Sequence, residues 1–109
     1  MPQLYYLQWD DETNVEARDR FHEYHFETPD TLSDTEFDQL YDQVAEVETE
    51  DLDEIYREWN RGSGYETEEY LSQQVRSMSV GDIVERGQQH YMCASIGWDD
   101  VDIIEGGYR

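Results

Sequence analysis

Three histidines, one cysteine and 28 carboxylates are the side chains of this 109-residue chain that could bind a metal, move a proton or act as a nucleophile. His22 and His25 stand three residues apart with Glu23 and Glu27 beside them. On a helix that spacing turns both imidazoles toward one side, as a metal pair needs. Cys93 or His90 would have to complete the site through the fold, and the spacing is common, so two ordinary half-exposed histidines are expected instead. Cys93 sits in the apolar stretch Tyr91-Met92-Cys93-Ala94 with only His90 as a basic neighbour. That setting suits a small buried hydrophobe better than an activated thiolate. The run Glu46-Val47-Glu48-Thr49-Glu50-Asp51 has no calcium-loop spacing with its central glycine. Asp10-Asp11-Glu12 and Asp99-Asp100 likewise read as solvated surface. Neither a Gly-x-Ser-x-Gly elbow nor a phosphate loop nor a dinucleotide turn occurs, and Gly62-Ser63-Gly64 lacks the lysine of a phosphate cradle. The expectation is a protein that is not an enzyme, with no cofactor and no metal.

The charge balance narrows the partners. Against 28 Asp and Glu stand seven Arg and no Lys, a formal charge of −21. Nucleic-acid phosphates and anionic membrane surfaces require clustered cations, so neither is an expected partner. The apolar runs are far shorter than the roughly 20 residues of a membrane span, and the first residues do not form a basic, apolar signal segment. A lone cysteine excludes an intramolecular disulfide and fits a reducing cytoplasm. Leu, Ile, Val and Phe supply only 21 of 109 residues, a level that with high charge borders on disorder. Nine Tyr and three Trp offset this with large buried area per residue, and the apolar positions are periodic. A folded domain with a small, aromatic-rich core is expected. Repulsion among so many anions opposes compaction in dilute buffer, whereas at molar salt the screening length falls to about 3 Å. Arginine in place of lysine, with short acidic side chains, resembles the cytoplasmic proteins of extreme halophiles. The rival explanation is an acidic decoy that mimics DNA and blocks a basic, DNA-binding protein such as a restriction enzyme.

The elements follow from periodicity. Residues 3–9 read as a strand, with Tyr5, Leu7 and Trp9 on one face and Leu4 and Tyr6 on the other. Apolar on both faces, it belongs inside a sheet or under helices. Residues 13–27 favour a short helix or an irregular excursion, closed by Pro29-Asp30. Ser33-Asp34-Thr35-Glu36 is a capping box. Phe37, Leu40, Tyr41, Val44 and Val47 then form one helical stripe, which predicts a helix over 34–47. Leu52, Ile55, Tyr56 and Trp59 form a second stripe after a restart at Thr49 or Glu50, ended by the glycine loop at 60–64. Thr67 caps a third, shorter helix. Val80 to Glu85 and Gln89 to Ile96 read as two strands joined by a tight turn at Arg86-Gly87-Gln88, with a short edge strand at 101–104 and a frayed tail over 105–109. The fold class is α+β: one domain over 1–109, with an N-terminal strand at 3–9, a helical region over 33–76 and a hairpin over 80–97. The helices are expected on one face of a small antiparallel or mixed sheet.

Residues 52–98 carry a resemblance. Leu52-Asp53-Glu54-Ile55-Tyr56-Arg57-Glu58-Trp59-Asn60 is followed by Arg76-Ser77-Met78-Ser79-Val80-Gly81-Asp82-Ile83-Val84 and then by Tyr91-Met92-Cys93-Ala94-Ser95-Ile96-Gly97-Trp98. This pattern resembles the YodL-like domain of small and polyvalent proteins of phages, plasmids and integrative elements. Residues 4–9 fit that family's starting strand, while Ala94 stands where the family often has Asp. The resemblance implies a mobile-element setting. The residues themselves point mainly to a folding signature: Ser77 or Ser79 closing a turn, Gly81 permitting a bulge or close packing, and Asp82 accepting backbone N–H groups at the strand entrance. Their functional reading is a protein-docking edge made by Trp59, Asp82, Ser95 and Trp98. The expected role is a non-enzymatic accessory protein that binds another, basic protein, as a monomer or weak homo-oligomer.

Overall fold

In a computed structural model, residues 1–105 are described; of the expected tail, 106–109 lie outside them. Among the described residues the order is β1 (Gln3–Leu7), α1 (Val15–Tyr24), β2 (Thr31–Ser33), α2 (Asp34–Leu40), β3 (Tyr41–Glu46), α3 (Leu52–Glu58), α4 (Glu68–Gln73), β4 (Ile83–Arg86), β5 (Gln89–Cys93) and β6 (Trp98–Ile104). The six strands make one mixed sheet in the order β2-β6-β5-β4-β1-β3. Its pairings are antiparallel except β2 with β6. The class is α+β, as the alternation of strand and helical periods predicts.

The period-2 pattern of β1 explains the layering. Leu4 and Tyr6 point into a cluster with Ala45, Val47, Ile55, Trp59, Tyr70, Met78 and Val84, beneath α3 and α4. Leu7 points the other way, joining Ala17, Tyr24, Leu32, Leu40, Tyr41, Ile83, Met92 and Val101 beneath α1 and α2, with Tyr5 and Trp9 packed against them. Helices therefore cover both faces, not one. Each face hides a thin aromatic core, for the sheet has more apolar strand positions than one helical layer can cover.

The helix starts follow the side chains. Ser33 accepts from the Glu36 N–H at 3.0 Å, and Glu36 reaches back to the Ser33 N–H, completing the capping box. Asn14, Asp51 and Thr67 accept the first amides of α1, α3 and α4. The restart expected at Thr49 or Glu50 falls instead at Leu52, because Asp51 has the acceptor that holds the Asp53 and Glu54 N–H groups.

Several boundaries differ from expectation. The helix predicted over 34–47 ends at Leu40, and Tyr41 turns extended (φ −125, ψ 145). The helical region over 33–76 thus contains a strand, β3, paired to β1 from Leu7↔Tyr41 to Gln3↔Glu46. Pairing with β1 competes successfully with a helical stripe built of Tyr and Val, residues that fit strands as well. The register shift between Leu4 and Tyr5 lets residues at odd positions divide between the two cores: Tyr41, opposite Leu7, enters one, while Ala45, opposite Leu4, and Val47 enter the other. The first strand stops at Leu7, before the turn Gln8–Asp11. The hairpin is shorter than 80–97: β4 begins at Ile83 and β5 ends at Cys93, because Gly97 (φ 74) turns the chain and the Ala94 N–H bonds the Gly97 carbonyl. The strand expected at 101–104 starts earlier, at Trp98, and is not an edge: β2 pairs along its outer side.

Candidate docking surface

Asp82 is wholly buried, and its carboxylate is fully used. Arg76 holds it bidentately, Nη1 to Oδ2 at 2.7 Å and Nη2 to Oδ1 at 2.8 Å. The N–H groups of Leu7 and Ser79 donate to the two oxygens at 2.9 and 2.8 Å. Arg76 also donates to the Leu7 and Ser77 carbonyls and lies over the Tyr6 ring, 4.3 Å from its centroid. Burial pushes the Asp82 carboxyl up, against the pull of Arg76 and the two amides, while Asp82 holds the Arg76 guanidinium in its charged form against the cost of burial. Gly81, at φ +94, passes so close to β1 that a Cβ would lie 2.9 Å from Leu7 Cδ2. The stretch 76–82 is thus a corner lock that joins β1 to β4. Asp82 accepts backbone amides as expected, but it is not part of a docking edge, since no lone pair faces solvent.

Trp59 is also removed from that edge. It is 1% exposed and packs edge-on against Tyr70, at 5.3 Å and 70°. As the last member of the α3 stripe, it belongs to the core that the stripe defines. Of the four expected edge residues, Ser95 and Trp98 remain at the surface. Trp98, half-buried, opens β6 where the end of a hairpin was expected.

Around the 94–97 turn the surface is apolar. Phe26 and Ile96 are each 92% exposed, and both line one shallow hollow of about 220 Å³ with His25, Thr28 and Asp99. The Ser95 hydroxyl donates to the His25 carbonyl at 2.7 Å, tying the turn to the end of α1. Behind the same turn, Tyr56, Val80, Cys93 and Trp98 line a second hollow of about 250 Å³ with Asp53 at its rim. Glu27 and Asp99 edge the first hollow, and no arginine lines either. Phe26 and Ile96 carry no sequence signal beyond their type: nothing in spacing says that the fold leaves them uncovered on one hollow.

The other candidates for chemistry fall elsewhere. His22 and His25 lie on α1 and at its C-cap, both exposed, with His25 Nδ1 2.8 Å from the Phe21 carbonyl. Among the described residues no three His, Cys, Asp or Glu side chains are grouped as a metal would need. Burial pushes the Cys93 thiol up to about 12, so it stays protonated at neutral pH. Glu48, Glu54, Glu58 and Glu69 rim an open hollow of about 470 Å³ beside α3, where burial and the neighbouring Glu54 push the Glu58 carboxyl up. The remaining exposed carboxylates are spread over all four helices and over β3 and β6. No described helix is long and apolar enough to cross a membrane. The chain matches no family model, no curated protein and no solved structure.

Proposed function

We propose that the protein is a non-enzymatic binding module that docks another protein on the corner formed by Phe26, Ser95, Ile96 and Trp98. One observation carries this reading: two large apolar side chains, each 92% exposed, line the same hollow in a chain that has few apolar residues to spare. The Ser95 tether and the turn at Gly97 hold Ile96 outward in a fixed place, so the corner meets a partner pre-organised. Glu27, Asp53 and Asp99 around it favour a partner with basic residues flanking an apolar anchor.

The setting we propose is the salt-rich cytoplasm of a halophilic archaeon, on a mobile element. The acid excess, the absence of lysine and the resemblance over residues 52–98 support it. The spread of carboxylates over every helix supports a general solvent-holding role for the acidity, where a DNA decoy calls for rows with duplex spacing.

A photo-crosslinking residue at Phe26, introduced into the whole chain at molar KCl, tests the corner. A single cross-linked species from a halophile lysate, absent when Ile96→Ser is added and circular dichroism is unchanged, is the expected result. Equal capture by the Ile96→Ser chain overturns the proposal.

A further inference from the structure

We infer that the outer edge of β3 accepts an extended, basic segment of a partner protein as a seventh strand. β3 is six residues long and bonds only to β1; among the described residues no strand pairs along its other side. The opposite sheet edge, β2, has three residues, too few to hold a guest strand firmly. Beside β3 lies an open hollow of about 420 Å³, lined by four glutamines, Gln8, Gln43, Gln73 and Gln74, with Val44 and Val75. The Gln43 and Gln8 amides already donate to Gln3 and to the Tyr6 carbonyl; those of Gln73 and Gln74, which can both donate and accept, suit the exposed backbone of an extended peptide. Gln74 stands there in the left-handed conformation (φ 57), the sole non-glycine residue with positive φ among the described residues.

Charge chooses the occupant. Asp10 and Asp42 line the hollow, and Glu46 is exposed at the end of the strand. The one cation there, Arg76, is held by Asp82 and also lies 3.8 Å from Asp10, so Asp42 and Glu46 carry the attraction for a guest. A second copy of this chain would set Asp42 and Glu46 against their own counterparts, which opposes β3–β3 pairing. In a strand alternating Arg or Lys with apolar residues the cations share one face, which meets Asp42 on the side of the hollow, while the apolar residues take the other face. The acidic edge thus turns away its own kind and admits a basic guest.

The probe is a synthetic peptide of alternating Arg and Val, titrated into the isotope-labelled full chain in KCl and followed by amide NMR. The expected shifts centre on residues 42–46 and 73–74. A peptide of the same sequence, N-methylated at alternate residues so that it cannot extend the ladder, is expected to bind about tenfold more weakly or worse. Charge reversal by Asp42→Arg with Glu46→Arg, checked for fold by circular dichroism, is expected to abolish the shifts. Equal binding of the methylated peptide, shifts spread over the whole acidic surface or centred on Phe26 and Ile96, no binding at millimolar peptide, or a dimer joined through β3 would each overturn the inference. Because Phe26 and Ile96 lie apart from this edge in the sheet order, failure here leaves the corner's own cross-linking test intact.

Discussion

Asp82 and Glu58 are both carboxylates drawn partly or wholly out of water, and the chain handles them in opposite ways. Asp82 has a guanidinium and two backbone amides on its oxygens and no contact with solvent. Glu58 lies in a rim of its own kind, with Glu54 and Glu48 as its acidic neighbours, at the mouth of an open hollow. The first group is compensated inside the protein, and salt has little access to it. The second is relieved only in part, by Arg57, and stands open to solvent. The contrast predicts a lock that is indifferent to salt and a rim whose repulsion grows as salt is withdrawn.

The largest effect should come from opening the lock. Asp82→Asn keeps the shape but strands the Arg76 charge in a site with 16% side-chain exposure. Removing one partner of such a pair costs about 3–5 kcal/mol, a large share of the roughly 5–15 kcal/mol that holds a domain folded. Urea unfolding in molar KCl, followed by tryptophan fluorescence, should show the full loss. If molar salt restored the variant to wild type, the lock would be no different from the rim and the contrast would collapse. Replacing both partners by apolar groups should not rescue it fully, because the Leu7 and Ser79 amides would then lose their acceptor.

Gly81→Ala tests the same corner by geometry. The new Cβ would meet Leu7 Cδ2 at 2.9 Å and would sit at φ +94, so a loss of about 1–3 kcal/mol is expected. Gly87→Ala, in the β4–β5 turn with nothing near its Cβ, should cost only the backbone strain of about 1 kcal/mol. Thermal unfolding of the pair separates packing from strain.

These sites also show what the residues alone could disclose. Local chemistry was legible: the Ser33–Glu36 box, the Thr67 cap, the two faces of β1 and the amide-accepting role of Asp82 all depend on near neighbours in sequence. Partners across space were not. Arg76 could be seen beside the turn, yet nothing in its spacing says that it crosses to Leu7. The stripe at 37, 40, 41, 44 and 47 has helical intervals, and only the vacant edge of β1 explains why Tyr41 to Glu46 become a strand. Trp59 looked like a docking anchor because tryptophans often are, although its place on the α3 stripe already pointed inward. Phe26 and Ile96 were invisible as a site, since exposure is decided by what the rest of the chain fails to cover.

Gln74→Gly carries the comparison to the solvent-facing side. Relief of the left-handed glutamine at the end of α4 should raise stability by about 0.5 kcal/mol, the strain removed being partly offset by the greater freedom of glycine when unfolded. A small rise in melting temperature with weaker binding of the Arg–Val peptide would separate stability from use at the β3 edge; a fall would mean that the side chain contributes more to packing than the strain costs.

The smallest effect is the most specific to the rim. Glu58→Gln removes one like charge from the group around α3, worth about 0.5 kcal/mol in dilute buffer and close to nothing at molar salt, where the screening length is about 3 Å. The pH dependence has a definite sign. Burial first, and then Glu54, raise the folded-state value of Glu58 above its unfolded one. Stability from its protonated form is therefore complete below the unfolded value, about 4.3, and is lost as pH rises through the higher folded value. Glu36 runs the other way: the Ser33 amide and Arg20 outweigh burial and lower its value, so its contribution is present above the unfolded value and is lost as pH falls through the lower folded one. Acidifying dilute KCl from neutral pH toward the unfolded value should then stabilise the wild type more than Glu58→Gln, and the gap between them should narrow at molar KCl by the share owed to Glu54, while the share owed to burial remains. A gap of unchanged size in molar KCl would mean that Glu54 contributes nothing and that the rim, like Asp82, is governed by burial alone, and the distinction between lock and rim would fail at its weaker end.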